Sequence, residues 1–337
     1  MKPVKCAIVG VGMMGKEHAD ILAASPMADL VIACDTSPSA RHALPDGVAL
    51  VESLEHALAT PGLEAVVIAT PQSHHRTAVS AAVKRGLAVF CEKPIAHTLE
   101  DADAICEMGM QPDARVVIGH CLRFDPRYRA IKEATDSGIL GKPVQITART
   151  NVPDFEGALL ASRTSLAIEN GVHLFDLMQW LVGPIVRVYA EATATFVLGE
   201  QLVDSIAMTV RFRCGAVGTY ASSWLMPSKL GYPFEHFFSL QGSEGLAWID
   251  ERGSGTGIVG PGSTHFPSSI SYRDPSGVPY GLYRTEIEAF LRGVRDSARW
   301  LWPITLAEAR AALVVALAAD DSIRLGQPIA IGENLVL

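Results

Sequence analysis

The sequence predicts an α/β chain in two parts: an N-terminal doubly wound parallel sheet, and a C-terminal α+β domain built on an open, mostly antiparallel mixed sheet. Three observations predict it. A glycine-rich turn directly follows an apolar, strand-like segment at the start of the chain. Strand-like and helix-like segments then alternate up to about residue 122, the pattern of βα units. Beyond that point consecutive strand-like segments follow one another through short glycine-bearing turns, which argues for antiparallel pairing.

Residues 4–9 read as the first strand, and the run Gly10-Val11-Gly12-Met13-Met14-Gly15 turns it into a helix over 14–24. A second strand over 30–34 ends at Asp35, twenty residues beyond Gly15. This is a dinucleotide-binding fingerprint of the Rossmann type. Gly10 allows the tight turn, Gly12 lets backbone amides approach a pyrophosphate, Gly15 permits close helix packing, and the acid accepts bonds from a ribose. Residues 48–51 form a short strand, 53–59 a helix, and 65–70 a β-branched run typical of a buried parallel strand. A helix over 74–85 closes at Gly86, a strand over 87–91 leads into Glu92-Lys93-Pro94, Thr98 caps a further helix, and 114–119 is the last strand of this half.

The second half opens with a helix over 126–137, an alternating strand over 144–150 and a helix over 166–181 ended by Gly183-Pro184. Strands follow over 186–195, 205–212, 216–224, 236–241 and 247–250. The glycine-, serine- and proline-rich stretch 253–281 reads as a long loop or lid, and helices over 282–298 and 306–325 finish the chain. The length of 337 residues and this change of grammar predict two domains, 1–122 for the nucleotide and 123–337 for substrate and oligomerisation.

A net charge of −8 with interspersed signs offers no field for a polyanion, so no nucleic acid is expected as a partner. The longest apolar stretch, 311–319, is far too short for a bilayer, and the glycine turn begins too early for a secretory segment, so a cytoplasmic protein without a membrane is expected. The six cysteines have no CxxC spacing, which indicates neither disulfides nor zinc. With 49% apolar and only 19% charged residues, part of the surface is expected to be covered by another subunit.

Ligands bind beyond the carboxyl ends of the strands in such a sheet. Three turns therefore matter: Gly10 to Gly15, Thr70-Pro71-Gln72-Ser73-His74-His75, and Glu92-Lys93-Pro94. An ammonium at Lys93 can stabilise a substrate oxygen during hydride transfer, and Pro94 restricts the backbone there and is a candidate for the cis form. In the second half Glu169, His173 and Asp176 stand at i, i+4 and i+7 of one expected helix and so share a face. The histidine can take a hydroxyl proton while a carboxylate holds its tautomer or contacts substrate. The same triplet could bind a metal, but it lacks a clear further ligand, and no metal is expected. Arg123, Tyr220, Trp224, His236 and Tyr283 are weaker candidates for substrate contact, and His75 and His120 border the expected crevice.

With these residues in place, the chain resembles the Gfo/Idh/MocA oxidoreductase family, which includes glucose-fructose oxidoreductase and inositol dehydrogenase. The resemblance rests on the glycine fingerprint, Ala69-Thr70-Pro71 with His74, Glu92-Lys93-Pro94, Gly119 to Pro126 with Arg123-Phe124, and Gly171-Val172-His173 followed by Asp176, and it covers essentially the whole length. It implies NAD(P)-linked transfer of a hydride at a carbinol carbon of a sugar, sugar acid or cyclitol, with Lys93 and His173 as catalytic residues. Glu169 departs from the pattern: many members carry an aspartate there, preceded by glycines, where this chain has Arg163-Thr164-Ser165. Glu169 either supports His173 or reaches the substrate, and Arg123 and Asp176 join it as expected substrate contacts. Asp35 stands where a 2′-phosphate would sit and Thr36 is no basic clamp, so NAD is expected over NADP, with Met13, Met14, Thr36, Thr70, Pro71, His74, Glu92 and Lys93 completing the cofactor contacts. The expected assembly is a homodimer or homotetramer through the C-terminal sheet. Two other readings share the fold: oxidation followed by elimination, as in NAD-dependent glycosidases, and a non-catalytic nucleotide-sensing protein.

Overall fold

The computed structural model describes residues 2–195, 202–228, 234–251, 258–260, 263–265, 272–274, 277–296, 300 and 302–332. The chain divides into two compact units, Met1–Phe124 with Ser269–Arg310, and Asp125–Ser268 with Ala311–Leu337.

The first unit is built on six strands, β1 Val4–Val9, β2 Ala28–Cys34, β3 Ala49–Val51, β4 Ala65–Ile68, β5 Ala88–Glu92 and β6 Val116–Gly119. They pair in the order β3-β2-β1-β4-β5-β6, every neighbour parallel. Parallel strands covered on both faces carry continuous apolar runs, and β4 (Ala-Val-Val-Ile) is buried throughout. The connecting helices are α1 Met13–Ala24, α2 Leu54–Leu58, α3 His75–Val83 and α4 Leu99–Gly109. Ser53 caps α2 and Thr98 caps α4, each side-chain oxygen accepting a backbone N–H of the first turn. The order reverses between β1 and β4, and the turns that leave β1, β4 and β5 carry the glycine run, Thr70 and Lys93.

The expected division at 122 requires a correction, because residues 269–310 pack with the first unit. Helix α8 Leu282–Arg295 is strongly amphipathic, and its apolar side is buried in this unit. Ile287, Phe290 and Leu291 join the core formed by Val4, Ile8, Leu22 and Phe90. The Phe290 ring stands edge-on to Phe90 and to Trp300, at 5.9 Å from each.

In the second unit, α5 Pro126–Asp136 starts on an Asp125 cap, and α6 Asp154–Leu160 follows the long strand β7 Pro143–Pro153. A π-helical turn, Ala167–Gly171, then enters α7 Val172–Val182. Strands β8 Ile185–Thr193, β9 Ser205–Phe212, β10 Val217–Met226, β11 Glu235–Gly242 and β12 Leu246–Asp250 complete the sheet with β7 and, after α9 Leu306–Leu325, the short β17 Ile329–Ala330. The order is β12-β11-β7-β10-β9-β8-β17, antiparallel except where β7 inserts parallel to β10. One face alternates into the core through Ile146, Ala148, Tyr220, Trp224, Phe238 and Leu240. Of the expected loop over 253–281, the described residues include two small hairpins, β13 Ile258–Gly260 with β14 Ser263–His265 and β15 Tyr272–Arg273 with β16 Pro279–Tyr280. Most of the remainder lies outside the described residues.

If α8 belongs to the core of the first unit, Phe290→Ala should destabilise the protein by about 3–5 kcal/mol, the usual cost of a cavity where an aromatic ring was fully buried. Guanidinium denaturation followed by fluorescence measures this, and a loss below about 1 kcal/mol would contradict the assignment.

Candidate active site

The glycine turn is fixed by lack of room. Gly10 has φ +85°, and a Cβ there would stand 2.7 Å from the backbone of Ala69 and Thr70. A Cβ at Gly15 would stand 2.0 Å from the Gly10 carbonyl oxygen. Gly12 is different: a Cβ there would meet nothing within 4 Å. The space above Gly12 is open, and no side chain caps α1, so the first-turn amides of Met13 and Met14 face that space with the positive end of the helix behind them. These features fit a pyrophosphate.

At the end of β2, Asp35 Oδ2 accepts the Val11 N–H at 2.7 Å and Oδ1 accepts the Ser37 N–H at 2.8 Å. The carboxylate therefore braces the glycine turn. Thr36 is exposed. Arg41, the nearby cation, donates to the carbonyls of Val48 and Pro45 and is held on its own loop.

The Lys93–Pro94 peptide is cis. Two buried histidines hold its surroundings. The His75 ring reaches the Pro94 carbonyl at 3.0 Å and the Thr70 carbonyl at 2.9 Å, linking the turns after β4 and β5. His18, on α1, contacts Glu92 Oε1 at 2.6 Å, while Glu92 Oε2 accepts the Lys93 backbone N–H at 3.1 Å. Glu92 is thus an interior residue whose carboxylate serves the protein, whereas His74 and Pro71 are exposed and Thr70 and Lys93 half-buried.

Arg123 lies inside the first unit. It is 2% exposed, and its Nη1 donates to the Pro303 carbonyl at 2.6 Å and to Glu308 Oε1 at 3.1 Å. A guanidinium removed from water requires such partners. It ties together segments of the first unit. Tyr220, Trp224 and His236 are likewise buried. Burial, then the charge of Arg127, pushes His236 down to about 4, leaving a neutral ring between Tyr128 and Thr150.

Glu169, His173 and Asp176 do not lie on one regular helix. Glu169 belongs to the π-helical turn, whose wider i→i+5 bonding changes the angle at which Glu169 and His173 leave the axis. Asp176, 1% exposed, is sealed inside the unit, while Glu169 and His173 are half-buried. The turn is anchored on both sides. Ser165 Oγ accepts the Ile168 N–H at 3.1 Å and donates to Asp320 at 2.7 Å. Asn170 donates to Ser222, which in turn donates to the Thr150 carbonyl at 2.6 Å. Gly171 is required because a Cβ would stand 2.6 Å from the Phe175 ring. Ser165, Asn170 and His18 were not legible as contributors, since their partners Asp320, Ser222 and Glu92 are distant in sequence. Among the described residues no cluster of His, Cys, Asp or Glu is arranged for a metal, and no helix is long and apolar enough to cross a membrane.

Comparison with known proteins agrees with this architecture. Residues 4–120 match an oxidoreductase family with an NAD-binding Rossmann fold, and residues 128–247 match the GFO/IDH/MocA C-terminal domain. The chain is 25% identical over 308 residues to inositol 2-dehydrogenase of Rhizobium meliloti (strain 1021), covering 88% of this chain and 90% of that protein. It is 27% identical over 354 residues to scyllo-inositol 2-dehydrogenase (NAD(+)) of Bacillus subtilis (strain 168), covering 97% and 96%. In fold it is similar to the crystal structure of scyllo-inositol dehydrogenase from Lactobacillus casei with bound NAD(H) and scyllo-inositol, with a TM-score of 0.82 at 21% identity and coverage of 98% and 99%. With both models of the family matched, the chain belongs to the GFO/IDH/MocA oxidoreductase family, and residues 4–120 are that family's NAD-binding Rossmann domain.

Proposed function

We propose that this protein is an NAD-dependent dehydrogenase that moves a hydride between the cofactor and a carbinol carbon of a cyclitol or related sugar, with Lys93, His173 and Glu169 as its catalytic residues. The observation that carries the reading is the near full-length match to two inositol dehydrogenases in a chain that keeps a lysine directly after β5 and a histidine on α7.

The first-turn amides of α1, with Gly12, Met13 and Met14, hold the pyrophosphate; Asp35 takes the ribose; Thr70 and Lys93 border the nicotinamide. When bound, NAD supplies the acceptor for the hydride that leaves the carbinol carbon. His173 takes the hydroxyl proton as the carbonyl forms, and Lys93 donates a hydrogen bond to the oxygen as charge develops on it. Glu169 holds the imidazole in the accepting tautomer. Reduction reverses each proton movement. Occupation of Arg41 by its own loop, together with the Asp35 carboxylate, supports NAD over NADP.

For assembly, the outer face of the second sheet presents small and hydroxyl side chains, Thr147, Ala207, Thr209, Thr219 and Ala221, with Trp248 64% exposed and Leu246 48% exposed near one edge. A second copy of this face covers it in a homodimer or homotetramer.

Three measurements follow from this reading. NAD should bind at least about tenfold more tightly than NADP in a fluorescence titration, the preference an acid gives at the 2′ position, and equal affinities would count against the Asp35 assignment. With myo- or scyllo-inositol as substrate, Lys93→Ala and His173→Ala should each lower turnover by about two to four powers of ten with little change in NAD affinity; near-intact turnover in both variants refutes the mechanism. Light scattering at micromolar concentration should give a dimer or tetramer mass that Trp248→Glu reduces, and a monomeric wild type would rule the interface out.

A further inference from the structure

Three acid or base side chains are sealed inside the first unit, next to the turn that carries Lys93, and the reaction as described uses none of them. His18, 0% exposed, comes from α1; Glu92, 7% exposed, ends β5; Glu286, 1% exposed, comes from α8. Burial works to raise Glu92, but the hydrogen bond and charge of His18, and then the charge of Lys93, hold its carboxyl below the usual carboxylate range. Glu286 goes the other way: burial, then the Glu92 charge, pushes it well above that range, and neither of its oxygens has a hydrogen-bond partner among the described residues. An ionised Glu92 beside a neutral Glu286 fixes the direction of the bonds. His18 Nε2–H donates to Glu92 Oε1 at 2.6 Å, and the Lys93 backbone N–H donates to Oε2 at 3.1 Å.

The geometry of this carboxylate is a bridge. One oxygen is held by α1, the helix whose uncapped N-terminus follows Gly12, and the other holds the peptide of Lys93. The His18 ring is itself fixed, edge-on to Phe90 at 5.4 Å and to Tyr283 at 6.3 Å. We propose that His18 is a positioning residue for Lys93: through the Glu92 carboxylate it ties the pyrophosphate helix to the lysine's peptide, so that Lys93 is set in place by the same helix that receives the cofactor. The proposal rests on the reading that Lys93 acts on the substrate oxygen. A bond to a buried charge lends itself to this role, because it is short and directional and its loss leaves the carboxylate unpaired.

The direct test reads the Lys93 amide. In the cofactor-free protein, hydrogen exchange at this amide should speed up by about tenfold or more in His18→Leu, as a fixed hydrogen bond becomes an intermittent one. His18→Gln, which can place an N–H donor near Oε1, should keep most of the protection. Glu286→Gln, replacing one neutral group by another, should leave it unchanged. Should His18→Leu fail to fold, Glu92→Gln reads the same bond. Unchanged protection in His18→Leu, or equal loss in the leucine and glutamine variants, overturns the proposal whatever the role of Lys93. The second test is a double-mutant cycle with scyllo-inositol and NAD. His18→Leu should lower kcat by about 10- to 100-fold, with the NAD dissociation constant within about threefold, and should add less than about twofold in a Lys93→Ala background. Equal losses in both backgrounds contradict the link. If Lys93→Ala alone leaves kcat intact, the reading of Lys93 fails, while the amide exchange still decides whether His18 holds its peptide.

Discussion

The nearness of α1 to the end of β1 governs the first unit. A Cβ at Gly15 would stand 2.0 Å from the Gly10 carbonyl oxygen, and one at Gly10 would press on the backbone between β4 and its turn. Only glycine permits that approach. Once α1 is seated there, its first-turn amides face open space beside Gly12, and His18, a turn and a half farther on, lies against the end of β5. A local steric condition therefore fixes both the placement of the first-turn amides and the partner of Glu92.

The second unit solves a different problem, how to hold a non-standard helical turn in a defined position. A π-helical turn departs from the bonding of the helix that continues it, and it persists only where neighbours restrain it. Here Ser165 caps it and binds Asp320, while Asn170 ties it through Ser222 to the carbonyl of Thr150. Burial pushes Asp320 up to about 6, so this anchor is the part of the turn that responds to acid near neutrality. Ser165 thus has a structural use in this chain.

What the sequence made legible was local. The strand from Val4 to Val9, the caps Ser53 and Thr98, and the hairpin at Arg213-Cys214-Gly215 follow from patterns within a few residues, and the structure forms each. The return of residues 269–310 to the first unit was not legible, because an amphipathic helix states that it will be buried but not against what. Arg123 has an internal partner that was not legible for a related reason. Its sequence neighbourhood resembles a site, whereas the partner that occupies it, Glu308, lies 185 residues away. The insertion of β7 beside β10 is likewise a long-range choice that turn chemistry does not encode.

In the proposed reaction the carbon-bound hydrogen of a carbinol goes directly to nicotinamide while His173 handles only the oxygen-bound proton. Labelling separates these two hydrogens. Incubation of the enzyme and NAD with inositol deuterated only at the carbinol carbon that is oxidised, followed by mass analysis of the nucleotide, should find one deuterium in each reduced cofactor formed and none washed into solvent. Deuterium released to water, or substrate consumed without net reduction of NAD, would contradict direct hydride transfer as the function of this protein.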